Sequence, residues 1–143
     1  IMELKINQKL DEWQHTVKQS DLVTWSKILN DPNPIHLDKN KVIELGFGHD
    51  CINQGPANIA YVINCISQNF KNYELLSINN KLKGNVFSGD EIKVNGIIID
   101  IKKNKNDIYV SLELNLKSQA KDDLMFSKAE IKLNTEAKIS NNL

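Results

Sequence analysis

"GPANIAYVINCISQNF", residues 55–70, is apolar around most of a helical circumference: Ala57, Ile59, Ala60, Tyr61, Val62, Ile63, Cys65 and Ile66 leave little room for a wet face. Pro56 is expected as the first helical residue after Gly55, where a missing amide hydrogen costs nothing. A helix of this kind must be surrounded, and the sequence that follows can do it. "YELLSINNKLKG", "EIKVNGIIIDIKK", "IYVSLELNLKSQ" and "LMFSKAEIKLN" are strand-like runs parted by turn residues. "KNKND" marks a hairpin between the second and third runs, and "FSGDEI" places Gly89 and Asp90 in a turn ahead of a strand. The expected class is α+β, with an antiparallel sheet packed around the long helix.

Upstream, Ser20 is the expected N-cap of a helix in which Leu22, Val23, Trp25, Ile28 and Leu29 recur at helical spacing. Pro32 and Pro34 push Asp31 and Asn33 away from helical geometry, so this helix should stop at about Asn30. Asp38 is expected to cap a short helix through "KNKVIEL", ended by Gly46 in a left-handed conformation. "GFGHDCINQG" reads as irregular, and the polar tail from about 135 to 143 is expected to fray. There is no internal repeat.

The 143 residues suit one domain spanning 1–143, with one core and one site. Lys plus Arg and Asp plus Glu number 18 each, with no long basic run, which argues against nucleic acid as a partner. No apolar stretch approaches the roughly 20 residues that span a bilayer, and no basic-then-apolar leader pattern is present, so the expectation is a soluble, cytoplasmic protein without a membrane partner. Cys51 and Cys65 form no CxxC pair and are expected to be reduced and structural. His15, His36 and His49 lack metal-ligand spacing, and nothing calls for a cofactor.

The chemistry-bearing candidate is "DPNPIH", residues 31–36, which presents a carboxylate and an imidazole on one proline-stiffened loop. Such groups serve as an acid/base pair when both reach a shared atom, and imidazole exchanges protons near neutral pH. Taken alone, the same residues describe an ordinary turn in which His36 packs locally, and that reading is the simpler one. Gly55 supplies a second component: its N–H lies at the positive end of the following helix, where it could polarise a carbonyl, although a plain turn glycine fits equally.

"WSKILNDPNPIHLD", then "GHDCINQGPANIAYV" and "LKGNVFSGDEIKV", in that order, resemble the MaoC-like (R)-specific enoyl-thioester hydratases and 3-hydroxyacyl dehydratases. The resemblance runs from about Thr16 to about Leu133, and its specific part is the D-x-N-P-x-H core. It implies a hot-dog fold, a homodimer with the acyl chain near the interface, and an acyl-CoA or acyl-carrier-protein thioester as substrate. It implies Asp31 and His36 as the catalytic pair, Asn33 as loop support, and the Gly55 amide as donor to the thioester carbonyl. No metal or cofactor is implied. The chain departs from the family's pattern at Gln54, where histidine is common, at Ala60 and Ile63, where small hydroxyl residues are common, and at Asn30, where glycine is common. Lys39, Lys41, Lys81 and Lys83 are candidates for a basic patch facing a carrier's phosphates. The competing readings are a dehydratase dedicated to one carrier protein, a non-catalytic hot-dog module that binds acyl chains or stabilises a partner, and a thioesterase of the same fold.

Overall fold

The structure is a computed structural model that describes residues 2–134 and 136–139. Its elements run β1 (Met2–Leu4), β2 (Trp13–Thr16), α1 (Gln19–Leu29), a 3-10 turn (Pro34–His36), α2 (Lys39–Glu44), α3 (Gly55–Asn69), β3 (Tyr73–Leu82), β4 (Glu91–Asn104), β5 (Asp107–Ser118), β6 (Met125–Leu133) and β7 (Ala137–Ile139). Five strands form one antiparallel sheet in the order β2-β4-β5-β6-β3. Helix α3 packs on β2, β4 and β5, the sheet-around-helix arrangement expected of a hot-dog fold.

Alternation fixes which side of the sheet meets the helix. In β5, Ile108, Val110, Leu112, Leu114 and Leu116 are buried while the residues between them are half-buried, so one face carries the core. Ala57, Tyr61, Val62, Cys65 and Ile66 of α3 join the same cluster. The pairing shifts register between Leu75 and Ser77 in β3 and between Ile98 and Asp100 in β4, and such irregularities bend a sheet. Truncating a fully buried aliphatic at this seam, such as Ile66, would cost about 2–5 kcal/mol.

Several local expectations shift. Helix α1 begins at Gln19 behind the N-cap Lys18, not behind Ser20; the Lys18 N–H donates to Asp21 Oδ2 at 3.3 Å, so Asp21 rather than a serine hydroxyl secures the start. Val23, Ile28 and Leu29 are exposed, and only Leu22 of the apolar set reaches the core fully, so α1 lies over the surface. Asn30 ends it in the left-handed region at φ 50°. Gly55 itself is the first residue of α3, and Pro56 is the second.

Strands β1, β2 and β7 add to the four strands expected. The polar tail is ordered where it is described: Ala137–Ile139 pairs in parallel with Met2–Leu4, while residues 135 and 140–143 lie outside the described residues. Leu4 is buried in the core under this pair.

Candidate active site

Helix α1 and the two prolines deliver the loop at 31–36 in a fixed shape. The Asp31 N–H donates to Ser26 O at 2.9 Å, continuing the hydrogen bonding of α1 one step beyond its cap. Asn33 then organises the turn: its N–H donates to Asp31 Oδ1 at 3.2 Å, its Oδ1 accepts from the Ile35 N–H at 3.2 Å, and its carbonyl accepts from the His36 N–H at 3.1 Å. The far side is closed by Asp38, whose Oδ1 caps α2 through the Asn40 and Lys41 amides.

This geometry brings Asp31 and His36 together. Asp31 Oδ2 lies 3.2 Å from His36 Nε2, with the histidine side chain 9% and the aspartate side chain 41% exposed. The two atoms are at contact distance without forming an aligned hydrogen bond. His36 Nδ1 lies 2.6 Å from Ile52 O. A carbonyl oxygen carries no proton, so Nδ1 must donate, and Nε2 beside Asp31 is the ring nitrogen left to exchange protons. Only one edge of the imidazole is chemically free.

Gly55 makes no hydrogen bond with either residue, yet it stands at the N-terminus of α3 with an N–H that meets no acceptor among the described residues. A Cβ at this position would meet only Leu82 Cδ2 at 3.8 Å, an ordinary contact. Within the chain, neither space nor a left-handed backbone requires glycine there.

Sequence reasoning missed the buried polar frame behind the loop. Gln19 Nε2 donates to His36 O at 3.0 Å. Asn53 Nδ2 donates to Asn58 Oδ1 at 2.8 Å and to the Tyr61 hydroxyl at 3.2 Å. Gln54 Nε2 donates to Leu22 O at 2.9 Å and Ser26 Oγ at 3.0 Å. Gln19 Oε1, Asn53 Oδ1 and Gln54 Oε1 are buried without a partner among the described residues. The signal available was Asn58, a polar residue on an otherwise apolar helix face, preceded by the polar pair Asn53-Gln54. Burial pushes the Tyr61 hydroxyl above its ordinary range, opposed in part by the Asn53 bond.

The other singled-out residues serve the surroundings. His49 packs on Phe87 at a tilt of 42°, with ring centres 4.6 Å apart, and Asp50 Oδ1 accepts from the Cys51 N–H. Burial and the Asp50 carboxylate push the Cys51 thiol up. Among the basic candidates, Lys39 sits 3.7 Å from Asp50, Lys41 3.3 Å from Glu44 and Lys83 2.8 Å from Asp123, so three of the four amines already face carboxylates. No cluster of metal-ligating side chains occurs among the described residues, and no helix there is long and apolar enough to cross a membrane.

No family model and no curated protein sequence matches the chain. Solved structures do. The (R)-hydratase PhaJ1 of Pseudomonas aeruginosa superposes with a TM-score of 0.79 at 24% identity, over 93% of this chain and 84% of its own. A MaoC-like dehydratase from Rhodospirillum rubrum gives 0.79 at 18% identity, over 91% and 92%. An (R)-hydratase from A. caviae, described as involved in PHA biosynthesis, gives 0.78 at 20%, over 91% and 97%. The chain therefore has the hot-dog fold shared by (R)-hydratases and MaoC-like dehydratases.

Proposed function

We propose that the protein is a hydro-lyase of the MaoC-like type, adding water to trans-2-enoyl thioesters and removing it from (R)-3-hydroxyacyl thioesters carried by coenzyme A or an acyl carrier protein. The observation that carries this reading is the Asp31–His36 pair, 3.2 Å apart on a loop whose conformation is fixed by Asn33. Because Nε2 and Oδ2 approach without pointing at one another, both can address a third atom, and a water oxygen is the one hydration requires.

In hydration, that water attacks C3 as the Asp31–His36 pair takes its proton at Nε2 or Oδ2, and the pair returns a proton to C2. One O–H bond of water and the C2–C3 π bond break, the C3–O and C2–H bonds form, and dehydration is the reverse. The thioester oxygen gains enolate charge as C3 is attacked. Gly55 N–H, at the positive end of α3, is the donor that meets this charge. His36 Nδ1 stays bonded to Ile52 O, which keeps the reacting nitrogen aimed.

A second copy of the chain completes the substrate tunnel in this reading. Ile28 and Leu29 of α1, Ile43 of α2, and Leu37 and Phe47 on the adjoining turns are exposed around the loop, while Leu76 and Leu82 are exposed on the edge strand β3. Apolar residues gathered in this way suit an interface. The paired state of Lys39, Lys41 and Lys83 weakens a broad basic patch as the means of choosing a carrier.

The test is loss of enoyl-thioester absorbance on mixing with crotonyl-CoA, beside Asp31→Asn and His36→Ala. Turnover that both substitutions abolish supports the reading. No turnover of crotonyl groups on either coenzyme A or a carrier protein would sink it and favour a non-catalytic acyl-binding or partner-stabilising module.

A further inference from the structure

Gln54 directly precedes Gly55, and its side chain is directed at a different helix. It is 1% exposed, and its amide nitrogen donates to Leu22 O and Ser26 Oγ, both on α1. Ser26 is also the residue whose carbonyl accepts the Asp31 N–H at 2.9 Å. The path from the Gly55 amide to the Asp31 carboxylate therefore runs through one side chain and one serine. At the other end of α1, Gln19 makes the matching connection to His36 O.

Both amides leave the carbonyl half bare: Gln54 Oε1 and Gln19 Oε1 are buried without a partner among the described residues. An orphaned buried acceptor is destabilising, and an apolar side chain of similar volume would avoid it. The acceptors on α1 do not depend on Gln54 either. Leu22 O is one helical turn from the Ser26 amide, and Ser26 Oγ can turn back to the same carbonyl. Gln54 is thus poorly explained as a stabilising residue. A local rule broken beside a site is the pattern expected where geometry is held at the expense of stability.

We infer that Gln54 is a positioning residue that sets the separation between the Gly55 amide and the Asp31–His36 pair by tethering the start of α3 to α1. This role rests on the hydro-lyase reading of the site.

The experiment is Gln54→Met, with Ser26→Ala as a milder second variant that keeps the bond to Leu22 O. Gln54→Met is expected to melt at or above the wild-type temperature. Its kcat is expected to fall about 10- to 100-fold, the size of effect that a small misplacement of reacting groups produces. KM should stay within about twofold, because the tether is not a substrate contact. The His36 ring and Gly55 amide NMR signals should move while those of the His49 ring stay. Ser26→Ala should shift kcat in the same direction by less, and the double variant should show a non-additive loss.

Unmoved His36 and Gly55 signals, an active Gln54→Met with wild-type kcat, or a Gln54→Met that melts well below wild type or does not fold would each overturn the inference. If the wild-type protein turns over no thioester, the hydro-lyase reading fails, and the NMR signals alone decide whether Gln54 sets the geometry.

Discussion

Helix α1 has a histidine–aspartate pair near each end, His15 with Asp21 at its start and His36 with Asp31 at its close, and both pairs approach to 3.2 Å. The first is an aligned hydrogen bond, and the same Asp21 oxygen also accepts the Lys18 amide. The His15 ring leans on Trp13 and Tyr61, with centres 5.6 and 5.3 Å away, and the two side chains are 33% and 35% exposed. In the second pair the imidazole is nearly buried and its Nδ1 is committed to Ile52 O. Its Nε2 faces a carboxylate whose other oxygen holds the turn. The difference shows that two residue types at contact distance do not make a site. On the proposed reading, what separates the second pair is that one imidazole nitrogen is fixed and the other is left with unspent bonding capacity, with the Gly55 N–H at the start of α3 as the third group.

The comparison breaks most sharply at the second pair. His36→Ala or Asp31→Asn should each lower kcat by about 10²- to 10⁴-fold, the usual contribution of positioned acid/base groups, in the crotonyl-thioester absorbance assay. The equivalent changes at His15 and Asp21 should leave kcat within about twofold. A comparable loss in both sets would mean that α1 as a whole, and not one pair, carries the effect.

The proposed oxyanion donor is tested next. Gly55→Pro removes the amide hydrogen, while Gln54 already has the extended backbone (φ −67°, ψ 141°) that proline demands of its predecessor. The helix start should survive, as circular dichroism would show, while kcat falls about 10²- to 10³-fold. Gly55→Ala keeps the donor and meets only Leu82, so on chain geometry alone its activity should be close to wild type.

The structural pair has its own signature in stability. Asp21→Ala should lower stability by about 0.5–1 kcal/mol through the lost helix start, with the ion pair adding little because both groups are about one-third exposed. Urea unfolding with unchanged kcat would sharpen the contrast.

The smallest effect concerns the thiols. Burial pushes the Cys65 thiol up to about 11 from an ordinary 9.0. The folded state therefore keeps a proton that the unfolded chain releases, so this contribution is intact below about pH 9 and is lost as pH rises through about 11. Cys51 is raised as well, so brief treatment with iodoacetamide at neutral pH should leave both activity and melting unchanged.

Much of the architecture was legible because period and punctuation agreed. The apolar girth of residues 55–70 demanded a surrounding sheet, and β5 and β6, with the first half of β4, alternate cleanly enough to supply it. Strands β1, β2 and β7 were not legible. They have three or four residues each, and their ladders are formed with segments distant in the chain, so no local pattern marks them. Ser20 misled as a cap because the serine signal is generic, whereas the actual start depends on Asp21 reaching back to Lys18. The apolar spacing of α1 suggested a buried face, yet Val23, Ile28 and Leu29 are exposed within the chain. At the site, the proximity of Asp31 and His36 followed from the prolines and Asn33. The Ile52 carbonyl and the Gln19 and Gln54 amides could not be read, because backbone carbonyls have no sequence signature and glutamine usually lies in solvent.

The pairing of Met2–Leu4 with Ala137–Ile139 joins segments at nearly the greatest sequence separation in the described chain. Closing so long a loop carries the largest entropic penalty of any contact here, and three paired residues return little for it. On a folding pathway this latch closes late, after the five-stranded sheet has drawn its flanks together, and in native fluctuations it opens early. Asp31, His36, Gly55 and the amides behind them all lie between β2 and β3, inside the part that such an opening leaves closed. Leu4, a member of this pair, is buried in the core, so opening the latch exposes apolar surface there while the loop at 31–36 and the start of α3 stay closed.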